Sequence, residues 1–410
     1  MPGWAEYGEL SVLLFLQMMA TGMWFVPLTR VLGSHGLTQI IPYAYACSAI
    51  AAFVSPLIFG AMADRHVSPA RVLRWLAAAS AAAMAVVSWS IGRAWPAGAV
   101  LGLLQLYALV SVPTMSIAAS VVFSRLHDSQ KQFGPIRAIG TFGWMSGCWL
   151  ISAFGFDAST GAGYTGACVW LGLSVFTLAL PALPPPPGGS MTLRERMGWD
   201  ALALLKNHDH RVVFLTAALF SVPLAAFYPY TPPQLSQLGF QRTAAWMSLG
   251  QITEMTAMLC LAALFARWRL KWIFAAGLLV GVLRFAFSSM NRPGWLLAGI
   301  TLHGFSYTLV FITEQIYLNE RIDPAWRARA QALMSLMNSG FGSLAGYLGS
   351  GFWFTACSDS TGTRWRTFWS VLAIAVGAVL AFFLTTYHGR GTGLRRTETD
   401  SLFEESAANE

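Results

Sequence analysis

Residues 96–124 read PAGAVLGLLQLYALVSVPTMSIAASVVFS and contain no charged side chain. A helix needs roughly 20 apolar residues to cross the hydrocarbon core of a bilayer, so this stretch is long enough to span it. Polar and apolar residues do not alternate along it, as they would in a strand of a membrane β-barrel. Because backbone groups in hydrocarbon must be hydrogen-bonded within the chain, the stretch is predicted to be a transmembrane helix.

Stretches of the same kind recur along the whole chain, which is 55% hydrophobic and only 11% charged. A soluble domain usually carries about 25% charged residues, because water must wet its surface. The sequence therefore predicts an all-α integral membrane protein with twelve transmembrane helices. The predicted spans are 8–32, 41–63, 70–92, 96–124, 134–154, 162–183, 211–237, 241–266, 271–290, 294–319, 327–352 and 366–387.

A polar interruption at 184–210, which begins with PPPPGGS, separates six predicted spans from the other six. Many carriers are built from two repeated halves, so we expect one six-helix half over 1–183 and a second over 211–389. The interruption is predicted to be a cytoplasmic linker that contains a short amphipathic helix. Residues 390–410 are polar, and we expect them to form a disordered cytoplasmic tail.

Lysine and arginine residues are distributed unequally between the two sides of the predicted bundle. With a cytoplasmic N-terminus, eighteen of the 26 lie in cytoplasmic loops and the tail, six lie on the opposite side, and Arg137 and Arg284 lie inside spans. Cytoplasmic loops are enriched in these residues. We therefore expect a multi-pass protein of the cell (inner) membrane with both termini in the cytoplasm. The same bias explains the net charge of +8 without a nucleic-acid partner.

The loop after the second predicted span reads GAMADRHVSPARVLR over residues 60–74. Its Gly60, Asp64 and Arg65 form a G-x-x-x-D-R pattern that resembles the signature of the major facilitator superfamily between helices two and three. Gly60 would allow a tight turn, and Asp64 would cap a helix start or pair with an arginine. The alternative is an ordinary charged loop that follows the positive-inside rule. We interpret the pattern as a conformational motif of a major facilitator fold.

Several titratable side chains lie well inside predicted spans. A charge at the bilayer centre costs about 2.5–3.5 kcal/mol on insertion scales, so each of these residues needs an explanation. A carrier needs such groups, because it holds a polar solute in a water-filled cavity and often moves protons. The five residues are Arg137, Glu254, Arg284, His303 and Glu314.

Polar side chains share single faces on the fifth and eighth predicted helices. Arg137, Thr141 and Trp144 are spaced i, i+4 and i+7, and Gln251 and Glu254 are spaced i and i+3. In a carrier of two halves, these two helices face each other across the midline. We therefore expect both groups at the substrate site. The alternative is a structural ion pair between Arg137 and Glu254.

The tenth predicted helix carries His303, Tyr307 and Glu314 at i, i+4 and i+11, which places them nearly in phase. The alternative for His303 is a packing residue with no contact to substrate. Arg284 lies near the end of the ninth predicted helix. We expect it to be structural and to extend toward the membrane surface.

Seven short segments follow one another along the chain. No one of them is diagnostic alone, but their order and spacing are informative. They are FLQMMATGMWF (15–25), VPT (112–114), GPIRAIGTFG (134–143), DALALLKN (200–207), GQITE (250–254), LRFAF (283–287) and RARAQALM (327–334). Together they resemble the nucleoside:proton symporter family of the major facilitator superfamily. The resemblance extends from residue 15 to the last predicted span.

This resemblance implies a twelve-helix carrier that moves nucleosides inward with protons. By position, Arg137, Thr141, Gln251 and Glu254 match polar residues that the family uses around its substrate. Trp144 stands where the family has an aromatic ring. The chemistry agrees, because ribose hydroxyls bind amides and carboxylates and a flat base stacks on an aromatic side chain.

The chain departs from the family pattern at other substrate positions. Ala225 and Tyr228 replace two amides of helix seven that contact substrate in the family. His303 and Tyr307 stand where the family has other aromatic residues. We predict that Tyr228, His303 and Tyr307 contribute to the substrate site of this chain.

Proton coupling is a further departure. Thr308 stands where the family has an acidic residue linked to coupling, and a threonine cannot titrate. Glu254 is the best remaining candidate for the coupling group, because it lies at the level of the substrate. Glu314 is the second candidate.

We therefore predict a secondary active transporter that moves nucleosides by alternating access, with a proton gradient as the energy source and no cofactor or metal. The protein is expected to function as a monomer in the lipid bilayer. The alternatives are a carrier for another small polar solute, such as a sugar, glycoside or peptidoglycan fragment, an uncoupled uniporter, or a sensor without transport activity. An enzyme is not expected, because G-x-S-x-G, H-E-x-x-H and P-loop motifs are absent from the sequence.

Overall fold

The computed structural model describes residues 4–65, 67–126, 129–181, 199–323 and 326–389. Helices occupy most of these residues. Two strands of two residues each, Ser358–Asp359 and Gly362–Thr363, pair as a short antiparallel hairpin. The helices before residue 182 are α1 Trp4–Phe25, α2 Leu28–Ser34, α3 Ile41–Arg65, α4 Pro69–Gly92, α5 Ala97–Ser111, α6 Pro113–Arg125, α7 Ser129–Ala153 and α8 Gly161–Phe176.

The helices after residue 198 form the second part of the molecule. They are α9 His208–Leu224, α10 Phe227–Gln237, α11 Thr243–Met247, α12 Leu249–Arg267, α13 Leu270–Ser289, α14 Pro293–Tyr307, α15 Thr313–Arg321, α16 Arg327–Ser335, α17 Ser343–Ala356 and α18 Trp365–Thr386. Two π-helical segments, Thr308–Ile312 and Leu336–Gly342, join α14 to α15 and α16 to α17.

Helix is present in every range for which the sequence predicts a span. The largest difference in length concerns the predicted span 162–183, because α8 already ends at Phe176 and turns follow it. By length and hydropathy, seven described helical segments can cross a membrane. They are Glu6–Ser34, Pro69–Gly92, Ala97–Arg125, His208–Gln237, Leu270–Ser289, Pro293–Arg321 and Trp365–Thr386.

Prolines interrupt three of these long segments. Pro27 precedes α2, Pro113 begins α6, and Pro223 lies one residue before the end of α9. A proline inside a helix removes one backbone hydrogen bond, and its ring clashes with the carbonyl four residues earlier. The breaks at these positions therefore follow directly from the sequence.

The apolar side chains form two large cores. The first is built mostly from α1–α8 and also takes in residues of the second part, such as Leu296 and Tyr347. The second core consists entirely of residues from 201 onward, including Trp369 and Phe383. The main contacts between the two parts are α2 with α10, α3 with α17 and with the π-helical segment Leu336–Gly342, and α7 with α11 and α12.

The hydrogen-bonded contacts between the two parts lie at the end of the bundle that is remote from Trp4 and Thr386. We call it the closed end. The carboxylate of Asp157, which is 5% exposed, accepts hydrogen bonds from the backbone N–H of Ala244 at 2.7 Å and from the hydroxyl of Ser152 at 2.9 Å. The Ser152 hydroxyl in turn accepts from the backbone N–H of Ala245 at 2.9 Å. Side chains of the first part therefore cap the start of α11 in the second part.

Glycines allow α17 to lie close to α9. A Cβ atom at Gly342 would lie 2.7 Å from the Cβ of Ser221, and one at Gly346 would lie 2.6 Å from the Cβ of Ala225. Small residues at this four-residue spacing let two helix backbones approach each other. Both contacts lie within this chain, so the spacing is used for packing inside the bundle.

Some predictions fall partly outside the described residues. Gly60, Asp64 and Arg65 belong to the last turns of α3, so the prediction of a loop with a tight turn at Gly60 is wrong; their side chains lie outside the description. Residues 184–198 of the predicted linker and the predicted tail 390–410 lie outside it as well. The described end of the linker forms a 3₁₀ helix, Trp199–Lys206.

Candidate functional site

One cavity, with a volume of about 380 Å³, is lined by all eight residues that the sequence predicts at the substrate site. It lies between the first and second parts of the molecule. At one end it reaches Tyr347, and at the other it reaches Gln315 and Met334, which lie toward the chain termini. The eight residues are Arg137, Thr141, Trp144, Tyr228, Gln251, Glu254, His303 and Tyr307.

The first part contributes the polar stripe of α7. The guanidinium of Arg137 donates a hydrogen bond to the hydroxyl of Thr141 at 3.0 Å, as the spacing of four residues on one helix face allows. Trp144 packs against Gly22 of α1. A Cβ atom at Gly22 would lie 2.9 Å from the carbonyl oxygen of Trp144 and 3.0 Å from the Cγ of Trp144. The indole N–H of Trp144 is buried and has no hydrogen-bond partner among the described residues.

The second part faces this stripe with α10 and α12. The side-chain amide of Gln251 donates to the hydroxyl of Tyr228 at 3.1 Å. The carbonyl oxygen of the same amide is buried without a partner among the described residues. Glu254 lies one turn further along α12 and is 7% exposed. An unused donor and an unused acceptor therefore belong to two residues that line one cavity from opposite parts of the molecule.

Aromatic rings from both parts form one wall of the cavity. The ring of Tyr228 lies 5.1 Å from that of Phe25 and 6.0 Å from that of Trp144, measured between centroids. Rings at these distances attract each other and leave flat faces on which a planar ligand can stack. The sequence had not singled out Phe25, although the segment FLQMMATGMWF contains it.

Arg137 and Glu254 do not form an ion pair in the structure. Elsewhere in the described residues, Arg125 forms ion pairs with Glu6 and with Glu9, each at 2.9 Å. The alternative of a structural Arg137–Glu254 pair is therefore not realised in this conformation. Both charges line the cavity, where a solute can reach them.

Arg284 does not extend toward the membrane surface, so this part of its prediction is wrong. Its side chain is 1% exposed and donates to Nδ1 of His303 at 2.6 Å. The guanidinium carbon lies 4.4 Å from the ring centroid of Phe227 and 4.6 Å from that of Phe285. Aromatic faces and a ring nitrogen therefore replace water around this cation.

Glu314 does not share the cavity face with His303 and Tyr307, contrary to the phase predicted from the sequence. The π-helical segment Thr308–Ile312 lies between them and carries more residues per turn than an α-helix. This shifts the phase of everything that follows it. Glu314 is fully buried, and its Oε2 accepts from the side-chain amide of Asn338 at 2.7 Å.

Asn338 connects this buried carboxylate to the cavity, which Asn338 itself lines. It lies in the second π-helical segment, Leu336–Gly342. Asn338 is not among the residues predicted from the sequence. The available signal was an amide in the middle of an apolar span, a residue type that hydrocarbon disfavours for the same reason as a charge.

The sequence of this chain is similar to those of known proteins. The nucleoside H⁺ symporter family model matches residues 7–390. The chain is 30% identical to the Escherichia coli protein YegT over 398 residues, which cover 92% of each chain. It is 26% identical to the nucleoside permease NupG of Escherichia coli over 400 residues, 91% of this chain and 94% of that one.

The fold agrees with the same relatives. The crystal structure of the nucleoside transporter NupG superposes with a TM-score of 0.82 at 24% identity, covering 94% of this chain and all of that one. The peptide transporter PepTSo gives a TM-score of 0.71 at 14% identity, which shows a shared fold only. The chain therefore belongs to the nucleoside H⁺ symporter family, and it is a proton-coupled nucleoside transporter of the membrane rather than an enzyme.

Proposed function

We propose that this chain imports nucleosides across the cell (inner) membrane through the central cavity, with twelve helices arranged as two halves that rock around it. The ribose and base of the solute occupy the space between α7 and α12. Arg137, Thr141, Gln251 and Glu254 bind the polar groups. Trp144, Tyr228 and Tyr307 supply flat faces for the base.

One observation carries this proposal: the indole N–H of Trp144 and the amide oxygen of Gln251 are both buried and unpartnered among the described residues. A buried polar group without a partner costs about 1–3 kcal/mol, so a ligand that pairs with it recovers this free energy. A ribose hydroxyl can donate to the amide oxygen, and an acceptor on the solute can receive the indole N–H. A nucleoside offers both groups together with a planar ring.

The closed end supports alternating access. Asp157 and Ser152 hold the start of α11, and the indole N–H of Trp149 donates to the hydroxyl of Ser248 at 2.8 Å. These contacts join the two parts on one side of the cavity, while the cavity extends toward the chain termini on the other. With cytoplasmic termini, as the distribution of Lys and Arg predicts, this conformation gives the cytoplasm access to the site.

We assign proton coupling to Glu254, with Glu314 as the second candidate. Glu254 lines the cavity together with Arg137 and Tyr307, so its charge changes the free energy of a solute bound beside it. Glu314 reaches the cavity only through Asn338. Direct contact with the solute is the simpler way to link the two binding events.

Uptake into proteoliposomes tests the proposed substrate. Radiolabelled uridine should accumulate under an imposed inward proton gradient, and unlabelled adenosine should compete where a panel of sugars does not. Trp144→Phe, which keeps an aromatic side chain but removes the pyrrole ring with its N–H, should weaken uridine uptake. Trp75→Phe is the matched control, because Trp75 is 67% exposed on the outer face of the bundle and should leave uptake unchanged.

Two results would contradict this proposal. Competition by sugars or glycosides and not by nucleosides would identify another solute for the same cavity. Exchange of uridine without accumulation under a proton gradient would identify an uncoupled uniporter. Neither result would alter the fold or the location of the site.

The proposed orientation has its own test. Single cysteines placed in the 184–210 linker should be inaccessible to an impermeant maleimide added to intact cells and become accessible after permeabilisation. The five native cysteines must first be replaced, since all described ones are free thiols. Labelling of the linker from outside intact cells would show that the orientation is the opposite of the one proposed.

A further inference from the structure

The contact between Arg284 and His303 determines the chemical form of a ring that lines the cavity. A guanidinium has N–H donors and no acceptor, so the bond at 2.6 Å requires an unprotonated Nδ1 on His303. The proton of the neutral ring must then lie on Nε2. Protonating Nδ1 would remove the bond and place a second positive charge against a buried cation, which is costly where water is excluded.

The surroundings hold both partners in place. The imidazole of His303 stacks on the ring of Phe227 with centroids 4.1 Å apart and an angle of 18° between planes. Arg284 lies over the same phenylalanine and over Phe285. On the other side, a Cβ atom at Gly250 would lie 3.1 Å from Cδ2 of His303, so α12 approaches the ring closely.

The charged and titratable groups near the ring are few. Arg284 approaches from α13, Tyr228 from α10 and Glu254 from α12, and Tyr307 follows on α14 itself. Among the described residues, the hydrogen-bond partner of the ring is Arg284. The other ring nitrogen, Nε2, is therefore left for the cavity that His303 lines.

We propose that Arg284 is a positioning residue that fixes His303 as the Nε2–H tautomer, so that the cavity presents a hydrogen-bond donor at this point and selects solutes with an acceptor opposite it. In a nucleoside, a carbonyl oxygen or an unprotonated ring nitrogen of the base supplies this acceptor. A solute with an amino group at the same place is rejected, because two donors would face each other. The selection of solute rests on the proposed function, whereas the tautomer does not.

Nitrogen NMR on protein labelled with ¹⁵N-histidine tests the tautomer without any solute. The seven histidines give a small set of signals, and the His303 signals are assigned by their loss in His303→Gln. The expected wild-type result is a protonated Nε2 and a bare Nδ1. Arg284→Lys keeps a cationic donor and should preserve this pattern, whereas Arg284→Met should populate the second tautomer. A proton on Nδ1 in the wild type would overturn the assignment, and so would an unchanged tautomer in folded Arg284→Met.

Binding of uridine and adenosine to purified variants tests the consequence. His303→Gln places an amide N–H near the former Nε2 and should bind within about threefold of the wild type. His303→Asn places it near the former Nδ1, and like His303→Phe it should bind roughly two- to tenfold more weakly, as expected for one lost neutral hydrogen bond. Equal affinity for the glutamine and asparagine variants would refute the selection by Nε2–H. If neither nucleoside binds the wild type while the NMR pattern holds, the proposed function fails and the tautomer assignment stands.

Discussion

The two sides of the cavity are built in different ways. On the side of α7, the polar contact between Arg137 and Thr141 joins residues of one helix. On the opposite side, the contacts join different helices: Gln251 with Tyr228, Arg284 with His303, and Asn338 with Glu314. Both sides carry charge, but only the second depends on how several helices pack.

This difference predicts different roles for the two sides of the cavity in solute binding and in conformational change. A contact within one helix survives any rigid movement of that helix, so the α7 side can present the same groups in every conformation. Contacts between helices change when those helices shift relative to one another within the second part, so the second side can couple solute, proton and conformation. Substitutions on the α7 side should therefore change affinity, whereas substitutions on the second side should also change stability or coupling.

The largest effect is expected for Glu254→Gln, which removes a titratable group and keeps its shape. Accumulation of uridine driven by a proton gradient should be lost, while counterflow of uridine between equal concentrations should persist, because exchange needs no net proton movement. Both are measured in proteoliposomes. Accumulation that survives unchanged would exclude Glu254 as the coupling group, and Glu314→Gln would then be the next variant to measure.

Arg137→Ala is expected to weaken uridine binding roughly ten- to a hundredfold, because a hydrogen bond to a charged group is worth about 1.5–3 kcal/mol. Isothermal titration of the purified variant measures the effect, and an unchanged melting temperature would show that the loss is local. If Arg137 were instead structural, Arg137→Ala would express poorly and a double variant with Glu254→Ala would recover. That recovery would contradict the assignment of α7 to binding.

Asn338→Leu should destabilise the protein by about 1–3 kcal/mol, because the Glu314 carboxyl group would lose its partner while remaining fully buried. The melting temperature in detergent measures this loss. The double variant Asn338→Leu with Glu314→Met is the control, and it should recover most of the stability by removing the orphaned group. If Asn338→Leu is as stable as the wild type, the hydrogen bond between Asn338 and Glu314 does not contribute to stability.

The smallest effect is expected for Thr141→Val, which removes a neutral hydrogen bond within one helix. The cost to stability should be about 0.5–1 kcal/mol, and uridine affinity should fall a few-fold at most. A loss as large as that of Arg137→Ala would mean that the Thr141 hydroxyl contributes as much to solute binding as the Arg137 guanidinium. The comparison between the two sides of the cavity would then need revision.

The positions of the helices could be predicted from the sequence, because long apolar runs have one stable form in hydrocarbon. The stripe of Arg137, Thr141 and Trp144 was also predictable, since all three lie on one regular helix. Glu314 was placed on the wrong face because the π-helical segment 308–312 alters the phase and leaves no mark in the residue types.

Contacts between distant segments could not be read from the sequence. Arg284 and His303 are 19 residues apart on separate helices, and no periodicity relates them. The cap that Asp157 provides for α11 joins segments 87 residues apart. Such pairs depend on how whole helices pack against each other. The spacing of residues along one sequence does not specify this packing.

The cap at the closed end has a consequence for hydrogen exchange. The amide hydrogens of Ala244 and Ala245 are bonded to Asp157 and Ser152 of the other part of the molecule rather than to carbonyls of their own helix. Their protection against deuterium therefore lasts only while the two parts touch. Mass spectrometry of the peptide that contains them would report the fraction of time this side is shut, without any attached label.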